Sequence, residues 1–456
     1  MVKNLPYDTD FDDFRLFIEQ NAKPFGTAAK VVGISPGYNI SEYVKKVKKI
    51  KKLKQKILFV EEFKRKNGRM PDQKHCCVKK FGSLADMERE LKEMQDWRTG
   101  FENTENLKFE QGTVAFVIFR KQTDSKEIVD YWRETQYETI SRYALMCLHK
   151  YVYSAKTYNG NLLVIEQAPE PSDVIWENLT ASNWTKLIKR LKTALITAVL
   201  IVISFIVVLS IKIYEYDVYT SSGKDHISNS ENMRIKAVSF LLSASIVTLN
   251  VIIGVAIRYF SRYEKPSTWT QYNISVFHKL VASTALNTIA LLILVNSYDF
   301  QKGYIGENGL DVHWFSKEYG LASDLYNLFL IDAFVIPFFL VFNPVYLFTL
   351  YRRRKVRNGK IILSQHEANL LWTNPEIDVA NRSARYLRTF LVALVFAPLF
   401  PLGLFLGTLS ISIQYCTDKY LLLRRYSRPK NYSKNLTLAI LQWLPFCLLF
   451  FCVPFI

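Results

Sequence analysis

The residues Ala194–Ile211, with the sequence ALITAVLIVISFIVVLSI, decide the class of this fold. They form a run of 18 residues without a charge. As an α-helix, at about 1.5 Å per residue, this run crosses a hydrocarbon core about 30 Å thick. A buried helix of a soluble protein is rarely so long and so uniformly apolar. Comparable runs follow, and the sequence predicts further spans at Ala237–Ile257, Leu280–Tyr298, Leu325–Tyr351 and Leu436–Ile456.

The stretch Thr389–Thr417 contains Pro398 and Pro401, so it fits either one kinked helix or two helices joined by a turn. The charges of the flanking loops distinguish the two arrangements. Tyr351–Arg388 carries nine Lys and Arg against three acids, and Asp418–Asn435 carries six against one. Because cytoplasmic loops are rich in Lys and Arg, both loops belong on the same side of the membrane. The sequence therefore predicts two helices here and a seven-helix transmembrane domain over residues 193–456.

The formal net charge of +18 follows the same topology. The loop Arg258–Lys279 is net +3, whereas Lys212–Lys236 is neutral and Asp299–Asp324 is net −3. Residues 1–192 hold 34 bases and 26 acids without a long apolar run, so they are predicted to be cytoplasmic. No signal peptide opens the chain, so the first span is expected to direct insertion.

Residues 1–167 show a β-α-β…β-α-β order, which predicts an α+β ferredoxin-like domain of the kind found in RNA-recognition motifs. The predicted strands are Val2–Leu5, Gly26–Ile34, Gly112–Phe119 and Leu162–Gln167, with a helix after Asp8 or Thr9 and another at Ser125–Val152. The third strand approaches the RNA-recognition signature. It has Val114 where a base-stacking aromatic is needed, so no nucleic acid partner is predicted.

A helical insertion is predicted over residues 40–105, and it begins with the basic segment VKKVKKIKKLKQKI. Apolar residues recur every three or four positions, so the segment is an amphipathic helix. Two interpretations remain open. Its lysines, among them Lys45, Lys48, Lys49 and Lys52, contact anionic lipid, or the helix packs on Leu84–Met94 with its lysines solvated or paired to Glu88, Glu90 and Glu93. His75-Cys76-Cys77 resembles half a zinc site without a second pair, so no metal is predicted.

Residues 168–192 are predicted to form a linker between the cytoplasmic domain and the first span. Pro169 and Pro171 stiffen the exit from the last strand. Asp173 is suited to cap the following turn, and Trp176 is suited to a membrane interface. The segment is therefore predicted to be a rigid strut.

The string Ala168–Leu179, APEPSDVIWENL, closely resembles the hallmark of the OSCA/CSC family of hyperosmolality- or stress-gated, calcium-permeable cation channels. The resemblance extends over nearly the whole chain. It implies an RRM-like cytoplasmic domain followed by an anoctamin-like, α-helical multi-pass membrane bundle, and no cofactor. It also implies a mechanosensitive channel with a pore in each subunit, lined by the first five spans present here. Ca²⁺, K⁺ and Na⁺ are the implied permeant ions, membrane lipids the implied partners, and a homodimer the implied assembly in some members.

The chain departs from this family in two respects. Family members have further spans before the cytoplasmic domain and one more at the end, so the chain is expected to be truncated at both termini. The fourth span of the plant channels has a glycine-rich hinge and a glutamate about two turns past an aspartate. Here Asp332 is present, Pro337 is the expected hinge because it removes a backbone hydrogen bond, and no acid replaces the glutamate.

Five residues are predicted to line or gate the pore: Asp332, Asn327, Pro337, Asn250 and Asn287. Asp332 is interpreted as the only ionisable residue deep in a span, which marks it as a cation-attracting group. The alternative is that it bonds to a neighbouring span. The asparagines, likewise, either line a hydrated path or join helices within lipid.

Two other function classes remain open. An open groove between spans also passes lipid head groups, so a phospholipid scramblase is one alternative, and a non-conducting membrane scaffold is another. Enzyme chemistry is not expected, because His226 and His313 lack nucleophile–base spacing and the chain has no Gly-rich phosphate loop.

Overall fold

The computed structural model describes residues 1–21, 29–68, 84–102, 111–132, 157–221, 229–290, 321–361, 363, 365–429 and 432–451. The chain forms two compact units. The N-terminal unit comprises Met1–Ser182 with the short segments Pro266–Thr268 and Ile362–His366. The helical unit comprises Asn183–Lys265, Trp269–Ile361 and Glu367–Ile456.

The N-terminal unit contains a four-stranded antiparallel sheet. Its strands are β1 (Val2–Lys3), β2 (Val31–Tyr38), β3 (Gln111–Phe119) and β6 (Val164–Ile165), in the spatial order β2-β3-β1-β6. The strands β4 (Thr157–Tyr158) and β5 (Asn161–Leu162) form a separate short hairpin that precedes β6 in the sequence. Strand β6 pairs with β1, and β2 pairs with β3. This antiparallel order is the one that a ferredoxin-like split βαβ sheet requires.

The strand β2 differs from the predicted strand Gly26–Ile34. It continues to Tyr38 through Pro36 and Gly37, with a register shift between Pro36 and Tyr38. A proline is tolerated at such an irregularity because the ladder hydrogen bond that it cannot donate is interrupted there. The first residues of the predicted strand, 26–28, lie outside the described part of the chain.

Two helices cover the sheet, α1 (Phe11–Asn21) and α4 (Gln122–Trp132). Their apolar faces bury Phe14, Ile18, Ile128 and Trp132 against the strands. The predicted helix Ser125–Val152 is seen as far as Trp132, and its remainder lies outside the described residues.

The insertion forms a hairpin of α2 (Ser41–Asn67) and α3 (Leu84–Glu102). Leu53, Ile57 and Val60 of α2 pack against Met87 of α3 in a separate small core. The segment His75-Cys76-Cys77 lies outside the described residues.

The helical unit contains long helices and several short ones. They are α5 (Asn183–Ser221), α6 (Asn229–Ser261), α7 (Trp269–Ala285), α8 (Leu321–Leu330), α9 (Ile336–Val341), α10 (Pro344–Arg357), α11 (Gln365–Trp372), α12 (Val379–Val395), α13 (Leu402–Arg424), α14 (Asn435–Leu441) and α15 (Leu444–Phe451). A 3-10 turn, Arg262–Glu264, follows α6, and π-helical segments follow α7 (Leu286–Ala290) and α8 (Ile331–Val335). Among the described residues, three helical stretches are long and apolar enough to cross a membrane: Trp184–Ile211, Phe240–Glu264 and Leu321–Arg357.

The stretch Thr389–Thr417 belongs to two helices, α12 and α13, joined by residues 396–401, as the loop charges predicted. Helix α12, however, begins at Val379, ten residues before the predicted start. Arg382, Arg385 and Arg388, which the sequence placed in a loop, therefore lie on a helix. The predicted span Leu436–Ile456 corresponds to α14 and α15, and residues 291–298 and 452–456 lie outside the described part.

Candidate functional site

Asp332 lies in the π-helical segment after α8, and its side chain is buried. Arg388 of α12 donates from Nη2 to both carboxylate oxygens, at 2.6 Å for Oδ2. Thr389 Oγ1 donates to Oδ2 at 3.0 Å. The carboxylate is therefore not the only ionisable group at this depth, and the sequence interpretation of an isolated acid was wrong on that point. In this structure Asp332 bonds to a neighbouring helix, which is the alternative that the sequence left open.

The ion pair of Asp332 and Arg388 joins two elements that are far apart in sequence. Both side chains are less than one-tenth exposed. Removing either partner leaves an uncompensated buried charge, which typically costs about 3–5 kcal/mol. Gln414 of α13 adds a third connection, because its Nε2 donates to the backbone oxygen of Asp332 at 3.4 Å and to Ser410 Oγ at 3.1 Å.

Pro337 follows directly on the π-helical segment. The N–H of Ile336 donates to the oxygen of Ile331, five residues back. Since Pro337 has no N–H, the oxygen of Ala333 lacks its normal α-helical donor, and the helix is weakened at this point. π-Helical turns of this kind frequently occur at functional sites. The structure thus places a backbone irregularity where the sequence predicted a hinge.

A second irregularity separates α9 from α10. Helix α9 ends at Val341, and Asn343 caps α10 by accepting hydrogen bonds from the N–H groups of Val345 (2.9 Å) and Tyr346 (3.3 Å). The carbonyl oxygens freed at the break, those of Leu340 and Val341, accept hydrogen bonds from Arg425 Nη1 at 2.8 and 3.2 Å. The Arg425 guanidinium also lies 3.6 Å from the centre of the Tyr346 ring. The fourth predicted span is therefore interrupted twice.

Asn250 and Asn287 belong to one buried chain of hydrogen bonds. Ser204 Oγ donates to Asn287 Oδ1 (2.6 Å), Asn287 Nδ2 donates to Asn250 Oδ1 (2.7 Å), and Asn250 Nδ2 donates to Thr288 Oγ1 (3.2 Å). These bonds join α5, α6 and the π-helical segment after α7, so both asparagines connect helices in this structure. Asn327 lies on α8, is partly exposed, and shares no hydrogen bond with either of them.

The sequence did not predict a second buried charged cluster in the helical unit. Glu264 contacts the Lys279 ammonium, accepts hydrogen bonds from Thr193 (2.6 Å) and Ser275 (2.9 Å), and is 3 % exposed. Lys279 also donates to Thr193 Oγ1 at 2.9 Å. The cluster joins α5, the 3-10 turn and α7. The four-residue spacing of Ser275 and Lys279 on one face of α7 is a signal that could have indicated it.

The strut is fixed within the N-terminal unit by hydrogen bonds to backbone oxygens. After Pro169 and Pro171, Asp173 is 2 % exposed, and its N–H donates to Glu170 O at 2.9 Å. Ile175 N–H donates to Ser267 O (2.9 Å), and Asn178 Nδ2 donates to Pro266 O (3.0 Å). The strut is therefore bound to the segment that directly precedes α7 in the chain.

The strut also packs closely on the sheet and on α2. The ring of Trp176, predicted for a membrane interface, lies 5.7 Å from that of Phe116 on β3 and is 46 % exposed. An added Cβ at Gly37 would lie 2.9 Å from Leu179, and one at Gly112 would lie 2.4 Å from Thr180. A Cβ at Gly112 would also lie 2.7 Å from the backbone oxygen of Gly37, so glycine is required there. The two glycines let this part of the strut lie directly on the sheet.

The four lysines of α2 that were named for lipid contact are all exposed, and two of them form ion pairs. Lys48 pairs with Glu177 of the strut, and Lys49 pairs with Glu90 of α3 at 2.7 Å. Lys45 and Lys52 are exposed. The helical hairpin foreseen as one alternative is present, and lipid contact by the exposed lysines stays a prediction.

The N-terminal part of the chain matches a known family. Residues 1–178, which extend into the strut, match the family model of the cytosolic domain of 10TM putative phosphate transporter. No curated protein matches the chain. The match and the three long apolar helices together indicate a membrane protein whose residues 1–178 are similar to the cytosolic domain of the 10TM putative phosphate transporter family.

Proposed function

We propose that the protein is a mechanosensitive cation channel of the OSCA/CSC type in the plasma membrane, permeable to Ca²⁺, K⁺ and Na⁺. The string Ala168–Leu179, the family match of residues 1–178 and the apolar helices support this proposal. The observation that carries it is the buried Asp332–Arg388 pair at the π-helical interruption of the fourth predicted span. In this structure the pair holds a potential cation-attracting carboxylate out of water.

Opening requires that Asp332 exchange Arg388 for water. Tension that separates the fourth predicted span from α12 lengthens this contact, and the irregular backbone before Pro337 absorbs the change of direction. A gate of this kind needs two packings that are close in free energy. The buried pair favours the closed packing, and the released carboxylate attracts cations in the open one.

The strut supplies the second part of the mechanism. It continues along the chain into α5, and it is hydrogen-bonded to Pro266 and Ser267, which directly precede α7. A movement of the N-terminal unit therefore reaches two predicted pore helices through a stiff segment.

The test is stretch-evoked current from the full-length protein in liposomes. Asp332→Asn is expected to lower both conductance and the ratio of cation to anion permeability, since the open path loses its carboxylate. Arg388→Gln is expected to lower the tension for half-opening while preserving cation selectivity, since only the closed contact is lost. Asp86→Asn, on an exposed residue of α3, is the matched control. Unchanged conductance and permeability in Asp332→Asn contradict the proposed role.

Lipid scrambling is the second candidate function, because the arginines of α12 place positive charge on a helix beside the fourth predicted span. The same liposomes report it through the flip-flop of a fluorescent phospholipid. Flip-flop without current favours the scramblase, and a protein with neither activity favours a scaffold.

A further inference from the structure

Helix α12 carries three arginines at every third position: Arg382, Arg385 and Arg388. Residues three apart are neighbours on a helix surface. Counted from the N-cap Asp378, they lie about 6, 10 and 15 Å along the helix axis. The helix therefore carries a row of positive charge that extends from its N-terminal end towards its middle.

The outer two arginines, Arg382 and Arg388, each form an ion pair with a carboxylate. Arg388 pairs with Asp332, and Arg382 contacts Asp418 of α13. Hydrogen bonds fix the second pair: Tyr386 Oη donates to Asp418 Oδ2 at 2.9 Å, and Arg382 Nη2 donates to Tyr426 Oη at 3.0 Å. Both acids are therefore already committed to an arginine.

The middle arginine is different. Within the part of the chain that the structure describes, the Arg385 guanidinium has neither an ion pair nor a hydrogen bond. Its side chain is partly exposed, so the position is accessible. Three guanidiniums against two carboxylates leave one positive charge in excess, and the charges on either side repel it. An excess charge among like charges on a helix of the membrane region favours binding of a counter-ion.

We propose that Arg385 binds a phosphate group, supplied either by a lipid head group or by inorganic phosphate. The planar guanidinium fork matches two phosphate oxygens at once, which makes arginine the favoured residue for such contacts. Arg382 and Arg388 contribute the surrounding positive potential, while their own carboxylates fix their positions. This site goes beyond the proposed cation conduction and does not depend on it.

The experiment compares two variants of the full-length protein purified in an uncharged detergent. Arg385→Gln removes the proposed ligand, and Arg352→Gln makes the same charge change at an exposed residue of α10. Inorganic phosphate binding is measured by titration calorimetry. Lipid binding is measured by native mass spectrometry with phosphatidic acid and with diacylglycerol of the same acyl chains, which lacks the phosphate.

Arg385→Gln is expected to weaken binding of the phosphate-bearing ligand by about tenfold or more, the scale of one charge-assisted hydrogen bond, and Arg352→Gln is expected to leave it unchanged. Loss of calorimetric binding identifies inorganic phosphate as the source, and selective loss of phosphatidic acid identifies a head group.

Arg385→Lys keeps the charge but not the planar fork of the guanidinium, so it is expected to bind several-fold more weakly than the wild type. It replaces Arg385→Gln in the comparison if that variant does not fold. Equal affinities in the wild type and the Arg385 variants, or no binding to the wild type, overturn the proposal. Stretch-evoked current is recorded separately. If the protein conducts no current, the phosphate-binding result can still be interpreted.

Discussion

Tyr158 shows how a single side chain connects two parts of the N-terminal unit. It is 4 % exposed, its ring lies 5.1 Å from that of Phe14, and its Oη donates to Asp13 Oδ2 at 2.9 Å. Burial, followed by the hydrogen bond to Asp13, raises the pKa of Tyr158 from 10.0 to about 12. The folded unit therefore favours the neutral phenol.

This shift predicts a pH dependence of stability. Because the pKa is raised in the folded state, the stabilisation is complete below pH 10.0 and is lost as pH rises through about 12. Tyr158→Phe is expected to lower the free energy of unfolding by about 1 kcal/mol at pH 8, with a difference from the wild type that shrinks between pH 10 and 12. Thermal melting at pH 8 and pH 11 measures it, with the exposed Tyr7 changed to Phe as the control. An undiminished difference at pH 11 contradicts the prediction.

Single residues of the candidate site were only partly predictable. Asp332 was found because a lone acid stands out in an apolar run. Its partner Arg388 lies 56 residues away in sequence and was counted with a basic loop, since loop charges indicate sidedness and do not show where a helix begins. Hydrogen bonds between Asn250 and Asn287 depend on which helix faces meet, which the spacing of residues within one helix does not determine.

At the scale of elements, Pro337 gives the sharpest prediction for gating. Pro337→Ala restores an N–H that can bond to the oxygen of Ala333, so the helix directly after the π-helical turn becomes stiffer. The variant is expected to shift the tension for half-opening in patch recordings under stretch. Pro398→Ala, at an exposed residue of the turn between α12 and α13, controls for loss of a proline elsewhere. An unshifted tension in Pro337→Ala rejects the hinge.

Elements whose patterns are local were predicted well, and elements that depend on distant partners were not. The apolar run at Ala194–Ile211 and the helix pair around Pro398 follow from composition and charge alone. The extension of β2 through Pro36 depends on its pairing with β3. It could therefore not be predicted from the residues of the strand itself. The break after α9 combines a local cause, Pro344, with a distant one, Arg425, and only the first was visible in the sequence.

At the scale of the whole molecule, the predicted topology has a consequence for glycosylation. Seven Asn-X-Ser/Thr sequences occur in the chain, at Asn39, Asn178, Asn183, Asn273, Asn381, Asn431 and Asn435. All of them fall in segments that the charge pattern assigns to the cytoplasm or to its borders with spans. Because N-glycans are added only on the lumenal face, the protein expressed in eukaryotic cells is expected to carry none.

The matched variant is Leu310→Thr, which creates one such sequence at Asn308 in the loop Asp299–Asp324, predicted to lie outside. It is expected to gain a single glycan, seen as a shift in gel mobility that a glycosidase removes. Glycan on the unmodified chain, or none on Leu310→Thr, contradicts the seven-span arrangement.

For the proposed gating by tension, the double interruption of Leu321–Arg357 has a mechanical consequence. A straight rod in a bilayer occupies nearly the same area in the membrane plane whatever the tension, so tension has no displacement to act on. A stretch with joints at Asp332–Pro337 and at Phe342–Pro344 changes its in-plane footprint when either joint bends. The product of tension and area change is then an energy that biases one shape over the other. In the proposed channel, the hydrogen bonds from Arg425 to the oxygens of Leu340 and Val341 oppose bending at the second joint.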